Sequence, residues 1–109
     1  MTSKTLNIAL QYSPSPAGRY QSDGPYPGET FRDELLWPAL SDGGVVTVNL
    51  DGTAGFGSSF LEEAFGGLVR KGLTEPELQA RLRIISARQS YVDRIWNYIH
   101  RAAVEEARA

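Results

Sequence analysis

The run VVTVNL at residues 45–50 limits the fold more strongly than any other feature of this sequence. It is rich in β-branched residues and has a glycine-containing turn on each side, which is typical of a buried strand. Thr47 and Asn49 are its only polar members. The sequence therefore predicts a central strand of a sheet, with three side chains pointing inward: Val46, Val48 and Leu50.

A helix is predicted directly after this strand and a glycine-rich turn, beginning at Ser59 and ending at Lys71-Gly72. Its apolar residues recur at helical spacing and would form one buried face. The members of that face are Leu61, Phe65 and Leu68, with Phe60 and Ala64 beside them. Strand, turn and helix in this order indicate an α/β domain.

Further strands are predicted on both sides of this unit. Residues 4–11 alternate between apolar and polar, which places Leu6, Ile8 and Leu10 on one face. A stretch rich in proline and glycine follows at residues 12–28, and a brief second strand around Gly18–Ser22 could pair back on the first. Another strand is expected over Arg81–Ser86.

Two more helices complete the prediction. One covers residues 28–40 and buries Phe31, Leu35, Leu36 and Leu40, with Pro38 distorting or ending it. The other begins after residue 88 and presents Val92, Ile95, Trp96, Ile99 and Ala103 on one face. We therefore expect one α/β domain over residues 1–109, with a small mixed sheet of about four strands covered by about three helices.

The composition of the chain limits the classes of partner that it can bind. The formal charge is −2 and the basic residues form no stripe, which excludes the usual footprint of a nucleic-acid-binding protein. The chain has no apolar run long enough for a membrane span, and its first residues lack the apolar core of a signal peptide. It contains no cysteine, which fits a reducing compartment. We expect a cytoplasmic protein that binds proteins or small ligands.

The serine pair before the helix allows two roles. Ser59 and Glu62 have the S-x-x-E spacing of a capping box, in which Ser59 caps the helix and the Glu62 carboxylate returns to the Ser59 amide. Ser58 would then lie just outside the helix, where its hydroxyl either faces a partner or belongs to a simple turn. A phosphoryl group at this position would meet the partial positive charge of the helix N-terminus, so Ser58 is a candidate for phosphorylation.

Known catalytic motifs fit this junction poorly. The glycine spacing from Gly52 to Gly57 resembles a phosphate-binding loop, but Ser58 stands where that loop needs lysine. Neither serine completes the G-x-S-x-G pattern of a hydrolase. Glu62 and Glu63 are adjacent on a helix, so they do not form an acid–base dyad. The only histidine, His100, falls on the polar side of the last helix, and no residues have metal-ligand spacing.

Two further features have alternative interpretations. Gly66-Gly67 lies inside the predicted helix, where close packing against a strand or a partner would compensate for its low helix propensity. The segment Gly18–Gly28 is either a flexible surface loop or folds near the serine turn. In the second case Arg19 and Arg32 would hold an anion at the helix start.

Two stretches of the chain resemble the STAS-like family of bacterial proteins of unknown function, which is similar to the STAS domains of anti-sigma factor antagonists. The first stretch is GETFR, residues 28–32, preceded by Arg19 and Gly24. The second is GFGSSFLEEAFGGL, residues 55–68. The resemblance spans roughly residues 5–100 and implies a STAS-like α/β fold.

The resemblance also implies a function. Anti-sigma factor antagonists of the STAS type bind GHKL-type ATPases that phosphorylate a serine at the start of this helix, and Ser58 matches that serine. The sequence departs from the antagonist motif at Gly57, where the motif has aspartate, and at Phe60, where it has glycine.

Together with this resemblance, the sequence predicts a non-enzymatic signalling module that binds a GHKL-type or anti-sigma-like kinase and needs no cofactor. Its docking surface would be built from Gly55, Phe56, Gly57, Ser58, Ser59, Phe60, Glu62 and Glu63. Three alternatives stay open. One is an anion- or nucleotide-binding domain, and another is a small enzyme that uses Ser58 with Glu62, Asp51 or a partner residue as its base. The third is a purely structural or oligomeric role, which an exposed apolar patch on the last helix would indicate.

Overall fold

Three parallel strands form the sheet in a computed structural model that describes residues 3–108. They are β1 (Ser3–Asn7), β2 (Val45–Asn49) and β3 (Leu82–Ile85), arranged in the order β1-β2-β3. Leu6 lies opposite Val48, and Val48 lies opposite Ile84. The described residues therefore form a three-stranded, purely parallel sheet, and the prediction of a mixed sheet of about four strands was wrong.

The predicted central strand is confirmed. β2 pairs with a strand on each side, and its apolar side chains Val46, Val48 and Leu50 are at most 2% exposed. Polar Thr5 and Arg83 belong to the opposite face of the sheet and are exposed. The helices accordingly pack on the face that carries the apolar side chains.

Within residues 3–108, five helices accompany the sheet. They are α1 (Ile8–Gln11), α2 (residues 28–41), α3 (residues 58–70), α4 (Glu75–Arg81) and α5 (Gln89–Arg108). The apolar face predicted for α3 is fully buried, as is its neighbour Phe60. In α5 the buried positions include Ile95 and Ile99, as the helical spacing indicated.

Pro38 distorts α2 without ending it. The turn Arg32–Leu36 is π-helical, with the Trp37 N–H donating to the Arg32 carbonyl, and the helix then continues to Ser41. Proline has no N–H to donate and its ring crowds the carbonyl four residues earlier. A widened turn before it keeps the helix continuous. α3 contains a second π-helical turn at Glu62–Gly66.

The brief strand expected around Gly18–Ser22 is absent from the described chain, and this prediction was wrong. Gln21–Asp23 forms a 3-10 turn instead. The Asp23 carboxylate accepts the N–H groups of Arg19 and Tyr20 at 3.0 and 2.8 Å. These amides would have to face β1 in a sheet, so a local side chain has replaced the ladder.

β1 also ends earlier than its alternation predicted. Asn7 caps α1, because its side-chain oxygen accepts the Leu10 N–H at 3.0 Å. The chain turns after this cap, and Leu10 is 85% exposed instead of lying on the inner face with Leu6 and Ile8. Asparagine is among the best N-cap residues, so the sequence did contain this signal.

α4 was not predicted, although its start carries a clear signal. Thr74 and Glu77 form a capping box, in which the Thr74 hydroxyl accepts the Glu77 N–H at 3.2 Å and the Glu77 carboxylate accepts the Thr74 N–H at 3.1 Å. Pro76 occupies the first turn, where proline is tolerated. The strand that follows begins at Leu82, one residue after the predicted start.

Gly28 sets the approach of α2 to α3. A Cβ atom at this position would lie 2.5 Å from the Phe60 carbonyl oxygen and 3.2 Å from the Ala64 nitrogen. Both atoms belong to the backbone of α3 and cannot turn away. Only glycine therefore allows the two helices to cross at this distance.

We expect Gly28→Ala to lower the free energy of unfolding by about 1–3 kcal/mol, because the added methyl group overpacks a backbone contact. Urea denaturation followed by circular dichroism measures this change. Gly57→Ala is the matched control, since its Cβ would meet no atom within 4 Å. Loss of a glycine N-cap there should cost about 1 kcal/mol at most. Equal effects of the two substitutions would contradict the close-approach argument.

Candidate functional site

The turn between β2 and α3 is shaped by two glycines and one buried ring. Gly52 and Gly55 have positive φ values of 95° and 137°, which favour glycine. Phe56 is 8% exposed and packs against Phe60 and, edge-on, against Tyr91. Its N–H donates to the Tyr91 hydroxyl at 3.3 Å. The ring thus anchors the turn from which α3 begins.

The capping box predicted for Ser59 and Glu62 is not formed, and that prediction was wrong. α3 begins at Ser58 with Gly57 as its N-cap, two residues before the predicted cap Ser59, and no side chain caps it. The Glu62 N–H donates to the Ser58 and Ser59 carbonyls. Both serines are exposed within the first turn.

The Glu62 carboxylate binds two arginines instead. Arg70 contacts it with two nitrogens, with Nη1 2.8 Å from Oε2 and Nη2 3.1 Å from Oε1. Arg19 approaches from the proline-rich segment, with Nη1 2.5 Å from Oε1. Two charge-assisted partners outweigh the single backbone amide that a capping box would offer.

Glu63 pairs with Arg32, the second of the two arginines that were considered for an anion site. Arg32 Nη1 lies 2.6 Å from Glu63 Oε2 and also donates to the Glu63 carbonyl at 2.9 Å. Both residues are 7% exposed. Arg19 Nη1 lies 3.2 Å from the other Glu63 oxygen, which links the two ion pairs. We call Arg19, Arg32, Glu62, Glu63 and Arg70 the ion-pair cluster.

The ion-pair cluster explains why residue 67 is a glycine. A Cβ at Gly67 would overlap the Arg32 guanidinium, so glycine creates the space in which this charge lies. A Cβ at Gly66 would come within 2.5 Å of Glu62 Oε2. The predicted close packing of the glycine pair is thus confirmed, and the packing partners are charged side chains rather than a strand.

Arg19 and Arg32 do come together near α3, as the second interpretation of their segment required. They meet carboxylates from its second turn, however, rather than an anion at its start. Glutamate oxygens occupy the positions that a bound anion would take. This arrangement does not favour an anion site at these two arginines.

Hydrogen bonds within the cluster shift the pKa values of Glu62 and Arg32. Burial opposes the charge on Glu62, but hydrogen bonds from Arg70 and Arg19 outweigh it and hold the pKa of this carboxyl below its ordinary value. Burial likewise opposes the charge on Arg32, while hydrogen bonds with Asp33 and Glu63 raise its pKa. Glu62 and Arg32 therefore stay charged near neutral pH.

The predicted docking residues divide into two groups. Phe56, Phe60 and Glu63 are buried and face the interior, so no partner can reach them in this fold. Their placement overturns the prediction that they belong to a docking surface. The accessible residues are Gly57, Ser58 and Ser59, with Gly55 and Glu62 partly exposed.

The groups considered as a base for Ser58 have other partners. The His100 side chain is 61% exposed and its Nδ1 lies 3.1 Å from both carboxylate oxygens of Glu75. Asp51 accepts the Ala87 N–H at 2.8 Å, and Glu62 belongs to the ion-pair cluster. This geometry does not favour a serine-dependent reaction.

A cleft of about 120 Å³ lies beside the turn, between it and the start of α5. Asp51, Arg88 and Tyr91 contribute to its lining. Its position at the carboxyl ends of the strands is where open α/β sheets bind ligands. Small-molecule pockets usually measure about 300–1,000 Å³, so the cleft does not favour the nucleotide-binding alternative.

One family model matches this chain. Residues 27–92 match the family model described as a STAS-like domain of unknown function (DUF4325). The match covers more than half of the chain, so the protein belongs to this family, as the sequence resemblance indicated. No curated protein and no solved structure gives a match. Within residues 3–108, none of the helices is both long and apolar enough to cross a membrane.

Breaking the buried ion pair between Arg32 and Glu63 should strongly destabilise the folded protein. We expect Arg32→Met to lower the free energy of unfolding by about 3–5 kcal/mol, because it leaves Glu63 buried without its charge partner. The double variant Arg32→Met/Glu63→Met should recover much of this loss, since it removes both charges. Lys4→Met is the control, because it breaks an exposed ion pair with Asp42 and should cost about 1 kcal/mol or less. Chemical denaturation of the four proteins tests this, and similar effects of Arg32→Met and Lys4→Met would contradict it.

The free energy of unfolding should also depend on pH, because folding lowers the pKa of Glu62. A carboxyl whose pKa is lowered by folding stabilises the protein above its unfolded pKa, and the contribution disappears as pH falls through the folded pKa. The free energy of unfolding should therefore decrease below about pH 4.5, the ordinary value for glutamate. Glu62→Gln should reduce this slope when thermal unfolding is followed between neutral and strongly acidic pH. An unchanged slope would show that Arg19 and Arg70 do not lower the pKa of Glu62 in the folded protein.

Proposed function

We propose that this domain is a non-enzymatic regulatory module that binds another protein through residues 55–59 and their neighbour Glu62. The observation that carries the proposal is the exposure of Ser58 and Ser59 on a first helical turn that no side chain caps. The turn itself is held by buried Phe56 and by a backbone hydrogen bond from Ala54 to Pro14 at 2.8 Å. A rigid scaffold thus presents unused polar groups to solvent, as binding loops commonly do.

The partner we propose is a GHKL-type ATPase. The support is the membership of the chain in a STAS-like family together with the position of Ser58 at the start of α3, which matches the serine that such kinases phosphorylate in anti-sigma factor antagonists. In this chain the neighbouring position is Gly57 rather than aspartate, so the kinase would have to recognise other features of the turn.

Phosphorylation of Ser58 is the switch that we propose. A phosphoryl group carries about −1.5 to −2 charges and would be stabilised by the free amides and dipole of the α3 N-terminus. Glu62 lies four residues further on, a spacing at which like charges repel. Arg19 and Arg70 neutralise that carboxylate, which lowers the repulsion that a phosphate would meet. The domain could therefore accept the modification without unfolding, while the partner would meet a new negative charge.

The test is affinity capture from the native host with four baits: the wild-type protein, Ser58→Ala, Ser58→Asp and Ser59→Asp. We expect wild type and Ser58→Ala to capture an ATPase and Ser58→Asp to lose it by at least tenfold, judged by quantitative mass spectrometry. The intact mass of the endogenous protein should show an added phosphate. Ser59→Asp adds the same charge one residue along and serves as the positional control.

Equal capture of the ATPase by all four baits, with no phosphate on the endogenous protein, would overturn the switch at Ser58. Loss of capture with both aspartate variants would indicate a general effect of charge on the turn rather than a role of Ser58. Absence of any ATPase from the wild-type sample would overturn the proposed partner.

A further inference from the structure

The cleft beside the serine turn contains charged groups that the proposed switch does not use. It measures about 120 Å³ and lies outside the carboxyl ends of the parallel strands, where open α/β sheets commonly bind ligands. A cavity needs about 10–15 Å³ of such space to hold one water molecule. The cleft therefore has room for a ligand of several heavy atoms, which is much smaller than a nucleotide.

The cleft carries two opposite charges that do not neutralise each other. Asp51 lines it from the turn after β2, and Arg88 lines it from the loop before α5. Both residues are exposed to solvent, and within residues 3–108 no ion pair joins them. The carboxylate and the guanidinium are therefore each able to bind the opposite charge of a molecule that lies between them.

Asp51 is held in place by one of its two oxygens. Its Oδ1 atom accepts the Ala87 N–H at 2.8 Å, which joins the turn after β2 to the loop before α5. The other oxygen, Oδ2, accepts no hydrogen bond from the residues that the structure describes. An ionised carboxylate has acceptor sites on both oxygens, so this one can accept a charge-assisted bond from an ammonium group.

Arg88 and Tyr91 supply hydrogen-bond donors to the same cleft. The Arg88 guanidinium lies over the Tyr91 ring, with Cζ 5.8 Å from the ring centroid, and no described carboxylate forms an ion pair with it. A guanidinium presents its N–H groups in a planar fork that matches a carboxylate. The Tyr91 oxygen accepts the Phe56 N–H at 3.3 Å, and its own O–H can donate as well. This wall of the cleft is therefore suited to a carboxylate.

We infer that the cleft binds a small free α-amino acid, with its carboxylate on Arg88 and its ammonium group on Asp51. A zwitterion satisfies both charges at once. A simple anion would be repelled by Asp51, and a simple cation would be repelled by Arg88. The inference does not depend on the proposed switch, because neither Ser58 nor Ser59 belongs to the lining of the cleft.

The first test compares three ligands on the wild-type protein. The full chain, labelled with nitrogen-15, is titrated at physiological salt and followed through its amide signals by two-dimensional NMR. Glycine should shift the signals of the cleft residues Gly52, Gly55 and Ala87 saturably, with half-saturation at about 1 mM or less. Acetate and methylammonium each carry only one of the two charges and should need at least about tenfold higher concentrations.

The second test removes one charge at a time. Asp51→Asn keeps an oxygen that can accept the Ala87 N–H, and Arg88→Met keeps an unbranched chain beside Tyr91. Each substitution should raise the glycine concentration at half-saturation by about tenfold or more. Asp51→Asn should not weaken the binding of acetate, and Arg88→Met should not weaken the binding of methylammonium, because each ligand lacks the group that the lost charge would bind.

The matched controls are Asp93→Asn and Arg94→Met, which make the same changes at exposed positions of α5 outside the cleft. Both should bind glycine within about twofold of wild type. Equal weakening by Arg88→Met and Arg94→Met would indicate general ionic attraction and overturn the inference. Equal binding of glycine and acetate by the wild type, or no saturable shift with either glycine or alanine, would also overturn it. The dispersion of the amide signals confirms that each variant is folded.

Discussion

The ion pair between Arg32 and Glu63 is the interaction on which the arrangement of α2 and α3 depends. The guanidinium lies in the space left by Gly67 and also donates to the Glu63 carbonyl, so it joins a side chain and the backbone of α3 to α2. Burying two charges costs desolvation energy, which only close pairing and further hydrogen bonds can offset. The geometry of the helix crossing is therefore set by charge as well as by apolar packing.

The exposed serine turn lies one turn before the ion-pair cluster. The widened turn Glu62–Gly66 carries the two carboxylates, and Glu62 binds arginines rather than the first amides of α3. The N-cap of α3 is Gly57, which has no side chain to cap the helix, and Ser58 and Ser59 face solvent. The groups that we propose for binding are therefore not part of the ion-pair cluster.

The same cluster ties the proline- and glycine-rich segment of the STAS-like domain to the serine turn. Arg19 belongs to that segment, and Glu62, its partner, follows the serine turn on α3. The ion pair therefore holds the segment beside the surface that we propose for binding.

The sequence by itself determined the central strand, α3 and α5, because periodic apolar residues directly record which face is buried, as at Val46, Phe65 and Ile95. Its long second motif also identified the family. Only the tertiary structure decided that residues 18–22 form no strand and that Glu62 binds arginines while Thr74 and Glu77 form the capping box. The same S/T-x-x-E spacing had different outcomes at the two helices, because Arg19 reaches Glu62 from 43 positions away, and Arg32 likewise reaches Glu63 from 31 positions away. Contacts at such separations depend on the folded chain and leave no local periodic pattern.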